Sequence, residues 1–240
     1  MNTPDSKYEI VSYIFNSNNR NNGSIANPSF VLGETFNIKG VKVKNAMLGF
    51  SVYPISSRNN QIYFIEQTAG NTVKNCSIAQ GYYTGSSLAT EIATKMSGAG
   101  TQTYTVSYSS ATNKLTISAA ANFLFTTGNN NANYECGLLN NTSYDTSQTT
   151  DQIDVSGVKM INVISNIGAI NVIGSQKSIL CSIPNNAANL AVNLYSDNSG
   201  DYINLSAGIS ELTFYLQDER MRDLTSIDKD WSLQLNFLVE

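Results

Sequence analysis

The chain has 240 residues, of which 13% are charged and none is histidine, with a formal net charge of -4 and a pI of about 4.9. Without an imidazole, Ser-His-Asp and Cys-His hydrolysis, His-ligated zinc and His-based pH switching are excluded, and the weakly acidic balance disfavours direct nucleic-acid binding. Hydrophobic residues at 41% and aromatics at 10% suffice for a core, and Asn, Ser and Thr supply a third of the chain, so the polar bulk is uncharged and disorder is not expected.

Alternation with a period of two dominates, which predicts strands with one buried face. From the N-terminus, strands are expected over Tyr8–Phe15, Phe30–Ile38, Val43–Tyr53, Gln61–Thr68 and Thr72–Ile78. The polar break Asn16–Ser24 leaves residues 1–24 readable either as an ordered strand or as an arm reaching a neighbour. The segment from Thr84 changes period. Leu88, Ile92 and Met96, four apart, make an apolar helical stripe of roughly three turns, with Ser86 or Ser87 as cap and Gly98 as terminator. A hairpin follows, with Tyr104, Val106 and Tyr108 on one arm, a turn through Ser110–Asn113, and Leu115 and Ile117 on the other. Beyond Phe123-Leu124-Phe125 the stretch Thr126–Gln152 reads as polar connection. Further strands are expected within Ile153–Ser165, over Ser178–Ile183 and Leu190–Tyr195, at Leu212–Gln217, and at Trp231–Val239. About ten short strands separated by turn clusters predict an all-β sandwich in one domain spanning 1–240, with 81–150 as a helix-plus-hairpin elaboration.

Few residues invite chemistry. Cys76, Cys136 and Cys181 are odd in number and far apart, which predicts buried free thiols rather than a disulfide framework. No apolar run is long enough for membrane insertion, and the N-terminus lacks a signal-peptide pattern, so synthesis in a host cytoplasm is expected. Glycosidase chemistry needs only two carboxylates, and Asp151, Asp154, Glu66 and Glu135 are available, yet no pattern pairs them. Asp197-Asn198-Ser199-Gly200-Asp201 and Asp228-Lys229-Asp230 cluster oxygen donors without EF-hand spacing, so no metal or other cofactor is expected. Tyr82-Tyr83, and Tyr134 with Tyr144, would be sugar-stacking residues if exposed. The densest charge cluster is Asp218, Glu219, Arg220, Arg222 and Asp223, continued by Asp228, Lys229 and Asp230. It reads either as a subunit-interface loop, where Arg–carboxylate pairs fix register, or as a solvated loop.

Gly81-Tyr82-Tyr83-Thr84, Leu88 with Ile92, Tyr104–Tyr108, Asn113-Lys114-Leu115-Thr116-Ile117, Phe123 and Leu138-Leu139 together resemble the small jelly-roll virion proteins of virophages, polinton-like viruses and related large eukaryotic DNA viruses. Ile161–Asn166, Ser178–Pro184 and the ending Leu216–Glu219 through Leu224 to Asp230-Trp231-Ser232-Leu233 are similar to the same group. The resemblance covers roughly 71–240, and Cys136-Gly137-Leu138-Leu139-Asn140 departs from its Leu-Leu-Gly order. It implies a single jelly roll of eight to ten strands and a structural, non-enzymatic virion protein. The implied role is a penton, homopentameric at icosahedral vertices and in contact with the major capsid protein and other minor capsid proteins. A minor capsid protein, or a receptor- or carbohydrate-binding spike head, is the alternative.

Overall fold

The computed structural model describes residues 8–49, 52–67, 70–139, 141–167, 178–186, 191–224 and 229–240. In chain order its elements are β1 (Glu9–Asn16), β2 (Asn22–Gly23), β3 (Pro28–Gly49), β4 (Gln61–Glu66), β5 (Val73–Ser77), α1 (Gly85–Ala99), β6 (Thr105–Ser109), β7 (Lys114–Thr126), β8 (Asp145–Gln152), β9 (Met160–Ser165), β10 (Ser178–Pro184), β11 (Val192–Ser196), β12 (Ile203–Gln217) and β13 (Trp231–Val239). The chain is all-β, as the alternation predicts, with one α-helix among the described residues. The described strands number thirteen rather than eight to ten. Two expected strands fuse into β3, whereas β8 lies in the stretch read as connection. Contacts fall into two compact units, Met1–Val52 with Val158–Glu240, and Tyr53–Gly157.

In the first unit the strand order is β1-β13-β3-β12-β9-β10, with β2 and β11 also paired to β3. The alternation of Trp231, Leu233, Leu235 and Phe237 is buried, and Ser232, Gln234 and Asn236 face outward, half-buried. Phe15 of β1 meets Phe214 of β12 at 5.4 Å between ring centroids, although β13 and β3 lie between those strands. Strands about 4.8 Å apart cannot bring such rings together in a flat sheet, so this sheet curls around its core in a jelly-roll-like sandwich. Bulges in the β12–β3 and β13–β3 ladders supply the bend. Trp231 anchors the core, its ring edge-on to Phe214 and its Nε1 donating to Ile25 O at 2.7 Å. The first strand is a full member of this sheet, paired antiparallel from Glu9↔Val239 to Asn16↔Ser232. Glu9–Asn16 is thus an ordered strand of the chain's own sheet, and Met1–Lys7 lie outside the described residues.

The second unit has a sheet ordered β5-β4-β7-β6, with β8 on β7, and α1 packed against it. The compact unit starts before the expected elaboration at 81–150, because β4 and β5 pair with each other and β4 pairs with β7. Leu88, Ile92 and Met96 are fully buried with Phe64, Leu115, Ile117 and Phe123. Each such side chain contributes about 1.5–3 kcal/mol, which outweighs the modest helix propensity of the Ser, Thr and Gly around it. Thr84, not Ser86 or Ser87, caps the helix, and Ser87 closes a reciprocal capping box with it. The helix also runs through Gly98 and ends at Gly100, so it is nearer four turns than three.

Candidate functional site

The charged segment expected at an interface forms a tight turn after β12. Asp218 is fully buried, and its Oδ1 accepts the backbone N–H groups of Arg220 and Arg222, both at 2.9 Å. Its Oδ2 accepts Nε of Arg222 at 2.7 Å. Met221, at φ +60°, takes the left-handed conformation that reverses the chain. Glu219 accepts the backbone N–H groups of Lys159 and Met160, at 3.1 and 3.4 Å, and so fixes the start of β9. Asp223 accepts Nε2 of Gln217 at 2.7 Å. Asp218 therefore builds the turn and offers no surface to a neighbour. Glu219, Arg220, Arg222 and Asp223 are half-buried and reachable only in part. Farther along, Asp230 accepts Nδ2 of Asn18 at 2.6 Å, while Asp228 lies outside the described residues.

Of the carboxylates weighed for catalysis, Glu66 and Asp154 are held by protein donors. Glu66 is fully buried, and both of its oxygens accept the N–H of Thr101, at 2.9 and 3.0 Å. The hydroxyls of Thr101 and Tyr104 donate to it at 2.8 and 3.0 Å, and the Lys74 ammonium lies at 3.7 Å. Burial raises its carboxyl pKa, but the Thr101 and Tyr104 hydrogen bonds and Lys74 together hold it below the usual value. Gly100 makes room for it, since a Cβ there would lie 2.5 Å from Glu66 Oε1. Glu135 is also buried, and Asp154 accepts from Ser156 in its own turn. No sequence pattern signals the Glu66 network, because its donors lie 35 and 38 residues away.

In the cluster weighed for calcium, Asp197 accepts the N–H of Ser199 at 2.7 Å, and this bond leads in holding its pKa below the ordinary value. The Lys42 ammonium lies 3.6 Å from Asp197 and donates to Ser199 O, and Lys44 donates to Asp197 O at 3.1 Å. Two ammonium groups thus sit where a cation would. Among the cysteines, burial pushes the thiols of Cys76 and Cys181 up to about 12 and raises that of Cys136 as well. All three are free.

Of the tyrosines, Tyr83 packs against the second core and donates to Ala79 O at 2.6 Å. Tyr82 is half-exposed and sits edge-on to Tyr53 at 5.1 Å. Tyr144 donates to Asn71 Oδ1 at 2.9 Å, and Tyr134 is exposed.

The outer face of β1, β13, β3 and β11 carries a feature that alternation alone hides. Ile14 is 74% and Leu194 77% exposed, and Met47 lies between them in the strand order, 47% exposed. They border a groove of about 440 Å³ whose other lining side chains include Asn45, Ser232 and Gln234. The ladder places Ile14 opposite Gln234, Gln234 opposite Asn45, and Met47 between Ser232 and Leu194. The available signal was that Ile10, Val11, Tyr13, Ile14 and Phe15 are apolar on both parities of one strand.

No family model and no curated protein matches the chain. Among solved structures it is similar to the crystal structure of a mavirus penton protein, at 12% identity and a TM-score of 0.42, with 98% of this chain and 100% of that chain covered. An overlap of that kind is too loose to transfer a function.

Proposed function

We propose that this chain is a structural subunit of a virus capsid, a penton that forms homopentamers at icosahedral vertices and contacts the major capsid protein. The observation that carries the reading is how the chain uses its side chains. Asp218, Glu66, Asp197 and Lys42 are engaged in intrachain contacts, while a strongly exposed apolar face is rimmed by amides and hydroxyls. Uncharged surfaces of that kind suit packing between subunits, because no charge must be desolvated. The sequence resemblance to small jelly-roll virion proteins points the same way. A ring follows from a heterologous contact whose rotation closes, and needs no turnover, cofactor or nucleic-acid contact. Native mass spectrometry of the purified chain, with cryomicroscopy of particles, tests the reading. A five-fold ring at vertices is expected, and a trimeric projecting spike would overturn it. Specific glycan binding that is lost on replacing the Tyr53–Tyr82 pair would favour the receptor-binding alternative.

A further inference from the structure

Among the described residues, none covers the outer apolar side chains of β1, β3 and β11. Ile10 and Ile14 of β1, Met47 of β3 and Val192 and Leu194 of β11 are between 47% and 77% exposed, and none contributes to the core beneath. Together they expose on the order of 500 Å² of mainly apolar surface, near the top of the range for the largest patch on a soluble monomer. A standard interface buries about 800 Å² per partner, a little over half of it apolar. The apolar area exposed here is of the order of the apolar part of one such side, about 450 Å².

We infer that a second copy of this chain docks on this face. The inference deepens the assembly reading and rests on it for the identity of the partner. The charge distribution selects that partner. The groove is lined by Ile14, Met47 and Leu194 with Asn45, Ser232 and Gln234, and no carboxylate, ammonium or guanidinium of the described residues lines it. A partner chosen by charge finds nothing to read there. Two copies of a chain with net charge -4 can bring these grooves together without placing like charges of the groove lining in contact. The rim suits a copy of the same chain for a second reason. Each amide carries both donors and an acceptor, as in the Asn45 to Gln234 bond at 2.6 Å, so the rim can pair with other amides and hydroxyls such as its own.

The test compares the full-length chain with its Leu194→Asp and Ile14→Asp variants, and with Val73→Asp, which changes a 59% exposed residue of the second unit. Sedimentation velocity and native mass spectrometry read association, and far-UV circular dichroism with thermal melting reads folding. At least a tenfold weaker association is expected for Leu194→Asp and Ile14→Asp, with unchanged melting and with Val73→Asp like wild type. An oligomer of wild-type strength in both face variants overturns this inference and leaves the assembly reading intact. A wild-type chain that stays monomeric overturns both. As a second measurement, Leu194→Cys is labelled with benzophenone maleimide and irradiated. A cross-link to a second copy supports the inference, and its absence in an oligomeric sample counts against it.

Discussion

Removing the Glu66 carboxylate tests whether this buried group, rather than apolar packing alone, ties the end of α1 to β4. Glu66→Ala leaves the Thr101 N–H and the hydroxyls of Thr101 and Tyr104 without their acceptor, and Tyr104 is itself buried. Breaking a buried charged network by removing one partner costs about 3–5 kcal/mol. Glu66→Gln keeps the volume and one acceptor but turns an amide donor toward donors, so a smaller loss of about 1–3 kcal/mol is expected. The pH dependence follows from the sign. The folded carboxyl titrates below its ordinary value of 4.5, so its stabilisation is fully present above that value and is lost as pH falls through the folded pKa. Urea unfolding at pH 7 and in steps below 4.5, followed by far-UV circular dichroism and by hydrogen exchange in α1 and β4, measures both effects. Wild type should lose stability in the acid range more steeply than Glu66→Gln. A Glu66→Ala chain within about 0.5 kcal/mol of wild type at pH 7, the range of ordinary surface substitutions, would refute the reasoning. So would identical acid profiles.

Gly100→Ala should destabilise through the same carboxylate, because its Cβ would lie 2.5 Å from Glu66 Oε1 and 3.0 Å from Met96 O. In a double-mutant cycle with Glu66→Ala the two losses should fall short of adding, as measured by urea unfolding. Asp218→Asn removes the charge that holds Arg222 Nε and is expected to cost about 1–3 kcal/mol, with hydrogen exchange rising at Arg220 and Arg222 first. The native chain should react slowly with a disulfide-exchange reagent at pH 8, half-buried Cys181 leading, and should show three reactive thiols once unfolded.

The sequence made legible what depends on period. The β13 alternation and the α1 stripe both emerge as read, because each buries one face of a regular element. What it left open turns on tertiary partners. Thr84, Ser86 and Ser87 are all capable caps, and the reciprocal bond between Thr84 and Ser87 decides among them. Gly98 and Gly100 are equally good terminators by type. A Cβ at Gly98 would meet open space, whereas Gly100 must let Glu66 approach, so the later glycine is the one the fold requires. Strand β8 was invisible because its two inward side chains are Gln148 and Thr150, which satisfy themselves on backbone groups such as Phe123 O, Ser143 O and Leu115 N. The charge cluster at 218–223 stood out by density. Its inward use did not, since Glu219 caps a strand 60 residues away.

Salt separates the two surfaces that could carry association. If the turn at Glu219, Arg220, Arg222 and Asp223 made the contact, its ion pairs would be screened, and association would weaken as sodium chloride rises from about 0.05 to about 0.5 M. The groove on the outer face of β1, β13, β3 and β11 is lined by no such charge among the described residues. Association through it should change little over that range and should strengthen in ammonium sulfate, which favours burial of apolar surface. The two outcomes have opposite signs, so sedimentation equilibrium of the wild-type chain in both salts distinguishes them without any variant. A marked weakening in sodium chloride would move the interface to the charged turn. An affinity that holds in chloride, rises in sulfate and falls in Leu194→Asp would require the apolar face, because only that surface is sensitive to all three changes in that sense.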